Sequence, residues 1–173
     1  MSSESPEHLL ITPVGGYPPA LGRLIGILSY VREGTLHEVT RLTHEQLGAR
    51  ADDTSNSIAE LLAQVEMNER HFQIRAFEGR EPSEREREQW ERELGAGAAE
   101  PPVPTLEHHL EKLAEVRERT LTHFYRLSDA WLDELLDLPE GGVANRYWHL
   151  FQLAEEEIRH REHIRWLLGR AAG

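Results

Sequence analysis

Between Trp148 and Ile164 the chain reads WHLFQLAEEEIRHREHI, and there His149, Gln152, Glu156, His160 and His163 recur at steps of three or four. In a helix, at about 100° per residue, these side chains gather within roughly a quarter-turn of one face. Leu153 and Leu167 flank the sector. It therefore lies at the edge of an apolar stripe, where helix bundles build sites between neighbours. Glu156 and His160, four apart, offer a carboxylate oxygen and an imidazole nitrogen to one ion. That donor pair suits zinc, nickel, iron or manganese better than calcium. The competing reading is a solvated stripe in which Glu155 pairs with Arg159 and Glu157 with Arg161. Spacing locates the face and leaves both readings open.

A second polar face lies earlier, in NSIAELLAQVEMNERHFQIRAFEG. Gln64 and His71 share it, with Glu60 one turn before Gln64. Taken locally, Gln64 is a polar rim residue and His71 a surface or partly buried histidine. Other chemistries are excluded more firmly. A ferritin-type di-iron site needs two Glu-x-x-His elements and two further carboxylates; only Glu157 with His160 has that spacing. There is no HExxH helix, no GxSxG elbow and no glycine-rich phosphate loop. Cysteine is absent, which removes disulfides, thiolate metal sites and a cysteine nucleophile.

The elements that must position these residues are helical. Four long segments carry 3.6-residue periodicity, and none alternates as a strand does. The first runs from Ala20 to Leu42, with Leu21, Leu24, Ile25, Leu28, Val31, Leu36 and Val39 as its stripe and Gly34 as a soft point. THEQLGARADD reads as a short helical turn and a loop. Ser57 and Glu60 have capping-box spacing and open the second long helix, which stops near Gly79. Ser83 and Glu86 open a short charged helix around Trp90, expected to lie on the surface or to cover one edge of a bundle with that tryptophan. GAGAAEPPVP is an internal linker. Thr105 caps the third long helix, Ser128 begins a short helix DAWLDELL, DLPEGGVAN is a loop, and Asn145 caps the last helix. The expected architecture is all-α: a four-helix bundle over residues 17–170 with one or two short extra helices, preceded by a loosely packed extension, residues 1–16.

Composition narrows the functional classes. The 173 residues, 39% of them hydrophobic, fit one domain with a real core. The net charge of −12 argues against nucleic-acid binding, which requires a basic footprint. No apolar run is long enough to span a membrane. The N-terminal stretch does not read as a secretory signal, and a cytoplasmic location is expected.

Three stretches together resemble the DinB-like superfamily of four-helix metalloproteins: YPPALGRLIGILSYVREGTL, NSIAELLAQVEMNERHFQIRAFEGR and NRYWHLFQLAEEEIRHREHIRWL. The resemblance extends from about Tyr17 to Gly169. Within the superfamily it leans toward the branch of mycothiol-dependent maleylpyruvate isomerase and other low-molecular-weight thiol transferases. It implies up-down-down-up connectivity and one divalent metal held by three side chains. The matching positions are Gln64 on the second long helix and Glu156 and His160 on the last. Gln64 departs from the family's histidine. Gln152, in LFQ, stands where many relatives read WFH, and Glu162 and His163 stand where HRGQI is common. An amide oxygen is a harder and weaker donor than imidazole, so the implied centre is partly degenerate.

Two functional expectations follow from the resemblance. One is a divalent-metal-dependent thiol transferase, using Zn, Ni, Fe or Mn and a small thiol. The other is a catalytically silent bundle acting as a binding or structural homodimer.

Overall fold

The computed structural model describes residues 10–52, 54–93 and 104–171. Four long helices dominate: α1 (Pro19–Val39), α3 (Ile58–Gln73), α5 (Leu106–Phe124) and α6 (Arg146–Ala171). Two short helices join them, α2 (His44–Leu47) and α4 (Glu84–Glu93). A π-helical turn, Ile74–Glu78, extends α3, and a 3-10 turn, Asp129–Asp133, follows α5. The linker expected at GAGAAEPPVP lies outside the described residues except for Pro104, as do the first nine residues of the N-terminal extension.

Local chemistry sets the helix starts. Ser57 with Glu60, and Thr43 with Gln46, form reciprocal capping boxes. Thr105 accepts from the His108 N–H, and Asn145 accepts from the Trp148 N–H at 2.9 Å. Helix α1 begins at prolines and has no local side-chain cap. Its first N–H groups instead donate to Asp129, from Ala20 at 3.1 Å and Leu21 at 2.9 Å. A carboxylate there also suits the positive end of the helix dipole.

Side-chain bonds between helices fix their directions. Arg32 meets Glu157, and farther along both helices Glu38 meets Arg165, so α1 and α6 are parallel. Glu69 meets Arg117 and Gln73 meets Thr120, so α3 and α5 are parallel. Arg32 donates to the Leu113 carbonyl and Arg117 to the Leu28 carbonyl, so α1 and α5 are antiparallel. The result is the up-down-down-up bundle that the resemblance implies.

The core has three layers. Leu21–Val31 of α1, Phe72 of α3, Phe124 of α5 and Leu150–Ala154 of α6 contribute to one apolar cluster. Val39, Ile58–Val65, Leu113, Ile164 and Leu167 belong to the other. Between them, one residue from each long helix joins a buried ion layer: Arg32, Glu69, Arg117 and Glu157. Glu69 accepts from Arg32 Nη2 at 2.8 Å, Arg117 Nε at 2.7 Å and Thr120 Oγ1 at 2.7 Å. Glu157 accepts from Arg32 Nε at 2.7 Å and from Arg117 Nη2 at 3.4 Å. Two guanidiniums balance two carboxylates, and the remaining guanidinium donors reach backbone carbonyls. This is the arrangement that lets charge survive away from water.

Three expectations are corrected here. Glu157 does not pair with Arg161 on the surface; it is 2% exposed and belongs to the ion layer. The helix expected over DAWLDELL ends as a 3-10 turn at Asp133, and Leu135–Asp137 forms a strand. The loop expected over DLPEGGVAN contains the partner strand, Val143–Asn145, antiparallel to the first. Gly141 and Gly142 turn the chain between them at φ +93° and +91°, a region glycine enters without a Cβ penalty. The fold is therefore a four-helix bundle with a small two-stranded hairpin. Gly34 does not break α1; Arg161 of α6 occupies the space its side chain would take.

Candidate functional site

The site lies along the seam between α3 and α6, which run antiparallel. Gln64 faces His160 at one end, and His71 shares a pocket with His149 toward the other. Two anchors hold α6 in this rotation. Glu157 is locked into the ion layer, so Glu156 and His160, on an adjoining sector, fall toward α3. At the start of the helix, Arg146 donates to the Ala76 carbonyl at 2.7 Å, pairs with Glu134 and lies over the Trp131 ring at 5.1 Å.

Of the three residues matched to metal-ligand positions, two meet directly. His160 Nε2 lies 3.0 Å from Gln64 Oε1. The other ring nitrogen, Nδ1, lies 2.6 Å from the Glu156 carbonyl and donates to it. That bond orients the imidazole with Nε2 toward Gln64, as second-shell bonds do for metal-ligating histidines. In the neutral Nδ1–H tautomer, Nε2 then presents a lone pair to an oxygen. A proton on Nε2, a turned-over Gln64 amide or a shared cation each relieves that opposition. The third residue, Glu156, has its carboxylate on Arg159 at 2.9 Å and lines the adjoining pocket. The two partners are 33% and 62% exposed, and such a pair is worth about 0–1 kcal/mol. Its carboxylate is therefore cheaply released. Among the described residues, no group of three or more His, Asp or Glu side chains is placed to hold a metal ion. The residues that the resemblance matches to ligand positions carry one imidazole, one carboxylate and one amide oxygen. This set suits a borderline divalent cation more weakly than three strong ligands would.

The pocket beside this trio has a volume of about 180 Å³. Asn68, His71 and Arg75 come from α3 and its π-turn, His149, Gln152 and Glu156 from α6, and Glu81 and Pro82 from the loop before α4. His149 is 5% exposed, and its Nε2 has no hydrogen-bond partner. Burial, with help from the Arg75 and Arg146 charges, holds its pKa below the ordinary imidazole value. His71 is likewise held down, chiefly by burial. Its ring lies 5.0 Å from that of Trp90, the one buried residue of charged α4. The tryptophan thus covers the bundle edge, as its position suggested.

The remaining polar residues of the two sequence faces separate. His163 lies against Trp166, at 5.8 Å between ring centroids. Glu60 caps α3 and pairs with Arg50. His71 and Gln152 line the pocket and do not join Gln64 and His160. Asn68, Arg75 and Glu81 were not singled out by sequence. The one available signal is that Asn68 follows Gln64 by four residues, and Arg75 follows His71 by four.

The DinB superfamily model matches residues 27–164. The chain belongs to the DinB superfamily. Its fold is similar to that of YfiT from Bacillus subtilis, described as a probable metal-dependent hydrolase with an unusual four-helix bundle topology. The two are 20% identical with a TM-score of 0.61, over 87% of this chain and 86% of that one. A DinB-like protein from Bacillus cereus ATCC 10987 is also similar, at 14% identity and a TM-score of 0.58, over 87% and 91% of the respective chains. No protein of curated function matches the chain. The superfamily match covers all four long helices in whole or in part, including both sides of the α3–α6 seam. Among the described residues, no helix of this DinB bundle is long and apolar enough to cross a membrane.

Proposed function

We propose that this DinB protein is a divalent-metal-dependent enzyme of the thiol S-transfer type, working at the α3–α6 seam. Gln64, Glu156 and His160 hold the cation, and the adjoining pocket receives the reactants. The observation that carries this reading is the approach of His160 Nε2 to Gln64 Oε1 at 3.0 Å, with Nδ1 tied to the Glu156 carbonyl. Two donor atoms converge, and the ring is oriented as a ligand is. The bound cation supplies one thing, stabilisation of a small molecule's thiolate at neutral pH.

The chain's own residues do the remainder. His160 keeps its Nε2 lone pair forward. Glu156, whose pair with Arg159 is exposed, would supply the carboxylate. Gln64 contributes a neutral oxygen, which leaves the centre more open and weaker than an all-imidazole site. The pocket walls Phe72 and Leu153 limit water around the reacting sulfur. The absence of cysteine agrees with this division of labour, since the thiol arrives with the small molecule. YfiT's description as probably metal-dependent supports the cation. A hydrolase would use water where this reading uses a thiol.

The test loads chelator-treated protein with Co(II) and titrates a small thiol such as cysteamine while recording the thiolate-to-metal absorption band. One equivalent of metal and a thiol-dependent band are expected, both lost in His160→Ala. A folded protein that takes up no metal would leave the silent-bundle alternative in its place. Metal uptake with no change on adding thiol would refute the thiol assignment while keeping the cation.

A further inference from the structure

Helix α6 is apolar on two sides. Leu150, Leu153, Ile164 and Leu167 face the core, each at most 5% exposed. Away from the core, Tyr147, Trp148, Phe151, Ile158 and Trp166 are between 37% and 57% exposed. At about 100° per residue these five fall within roughly a third of a turn, along about 28 Å of helix. The other long helices carry no such stripe. Among the described residues, α3 and α5 show no large exposed hydrophobic side chain, and α1 shows only Tyr30. The solvent side of α5 instead carries Glu107, Glu111, Glu115, Glu118 and Arg119. A helix with apolar residues on both sides is ordinarily covered on both. None of the five lines the pocket at the α3–α6 seam.

We propose that this stripe pairs with a second copy of the chain, the two α6 helices crossing antiparallel about a two-fold axis near Ile158. The chemistry of the stripe changes along its length. Its first half is aromatic and acidic, with Tyr147, Trp148, Phe151 and Glu155. Its second half carries Arg159, Arg165 and Arg170 around Trp166. A two-fold axis that reverses one helix against the other brings each copy's arginines to the other's rings and to its Glu155. A parallel pairing brings arginines to arginines. Within one chain Arg170 already lies over the Trp166 ring at 5.0 Å, the same contact on a small scale. Arg159 is 62% exposed and Arg165 48%, so their pairs with Glu155, Glu156, Glu38 and Glu162 are weak and easily rearranged. An enclosed aromatic side chain buries about 150–250 Å², so at these exposures the four rings and Ile158 offer about 400 Å². That is about half of each partner's share of a standard interface, and the charged side chains between them supply the remainder. The pairing is independent of the cation site and holds equally for a silent bundle.

Sedimentation velocity on the full-length protein in EDTA, with and without Phe151→Glu, tests the pairing. At micromolar concentration the wild type is expected at twice the 19.9 kDa of one chain. Phe151→Glu should weaken pairing at least about tenfold, because it places an unpaired charge in the interface, and should leave the circular dichroism unchanged. The chain has no cysteine, so single introduced cysteines report which residues meet. Oxidised Ile158→Cys should cross-link to its own counterpart, as a residue beside a two-fold axis does. Arg170→Cys, about 18 Å from that axis along the helix, should not, and neither should Glu111→Cys on the solvent side of α5. Ile158→Cys carries the test alone if Phe151→Glu fails to fold. A monomeric wild type, a dimer undiminished in Phe151→Glu, or cross-linking through Arg170→Cys or Glu111→Cys in place of Ile158→Cys would overturn the proposal.

Discussion

Glu69→Gln is the sharpest perturbation of the ion layer, because it removes one charge and almost no volume. Glu69 is fully buried and accepts four bonds: from Arg32 Nη2 at 2.8 Å, Arg117 Nε at 2.7 Å, Arg117 Nη2 at 3.2 Å and Thr120 Oγ1 at 2.7 Å. The amide keeps one acceptor oxygen and turns an N–H2 toward a guanidinium that also only donates. Two guanidiniums then share the single carboxylate of Glu157, leaving one uncompensated buried positive charge. Breaking a buried pair in this way costs about 3–5 kcal/mol, a large part of an ordinary domain's stability. At this chain length each kcal/mol moves Tm by about 2–4 °C, so a drop of about 6–20 °C is expected. Urea unfolding followed by circular dichroism should show the same loss at an unchanged m-value. Glu69→Leu combined with Arg117→Met restores charge balance and should cost less than Glu69→Gln alone. A loss below about 1 kcal/mol, the worth of an exposed ion pair, would refute the claim that this layer is isolated from water.

Further predictions concern pH, capping and a turn. Burial opposes charge on Glu69, but Arg117, Arg32 and Thr120 together hold its pKa below the ordinary carboxylate value. The stability it contributes is therefore present above about pH 4.3 and drains as pH falls toward its lower folded-state pKa, which acid titration of unfolding in wild type against Glu69→Gln would detect. His109 is pushed down to about 4 by burial and by neighbouring His108, so the unfolded chain takes up its proton first. Stability should fall as pH drops from about 6.5 toward 4, and His109→Leu should flatten that slope in denaturant melts. Asp129→Ala uncaps α1 and should cost about 0.5–2 kcal/mol in urea unfolding, with no change in metal uptake. Gly79 ends the π-turn at φ +64°, so Gly79→Ala should cost about 1 kcal/mol by the same measurement even though its Cβ would meet only ordinary contact.

What the sequence discloses depends on how far apart the interacting residues are. The caps at Thr43, Ser57, Thr105 and Asn145 act within three residues, and each is visible as a short pattern. Asp129 caps α1 from 109 residues away, beyond any local pattern. The ion layer is hidden for the same reason. Glu157 sits four residues before Arg161 and looks like a surface pair, whereas its partner Arg32 is 125 residues distant. The hairpin was obscured because its strands are three residues each, too short for alternation to register. The polar faces of α3 and α6 were legible from spacing, since one helix displays every third or fourth residue together. Which residues of one face meet the other depends on the antiparallel register, and only the resemblance joined Gln64 to Glu156 and His160. Asn68 and Glu81 gained meaning only once the seam and the loop above it closed around the pocket.

Under the proposed function Gln64, Glu156 and His160 form a weakened three-donor cation site. Isothermal titration of chelator-treated protein with Zn(II), comparing wild type with Gln64→His, tests it most directly. One equivalent is expected to bind in both, with Gln64→His at least about tenfold tighter, or about 1.4 kcal/mol, because imidazole replaces an amide oxygen 3.0 Å from His160 Nε2. Equal affinity in the two proteins, or no zinc uptake by a folded Gln64→His variant, would contradict it.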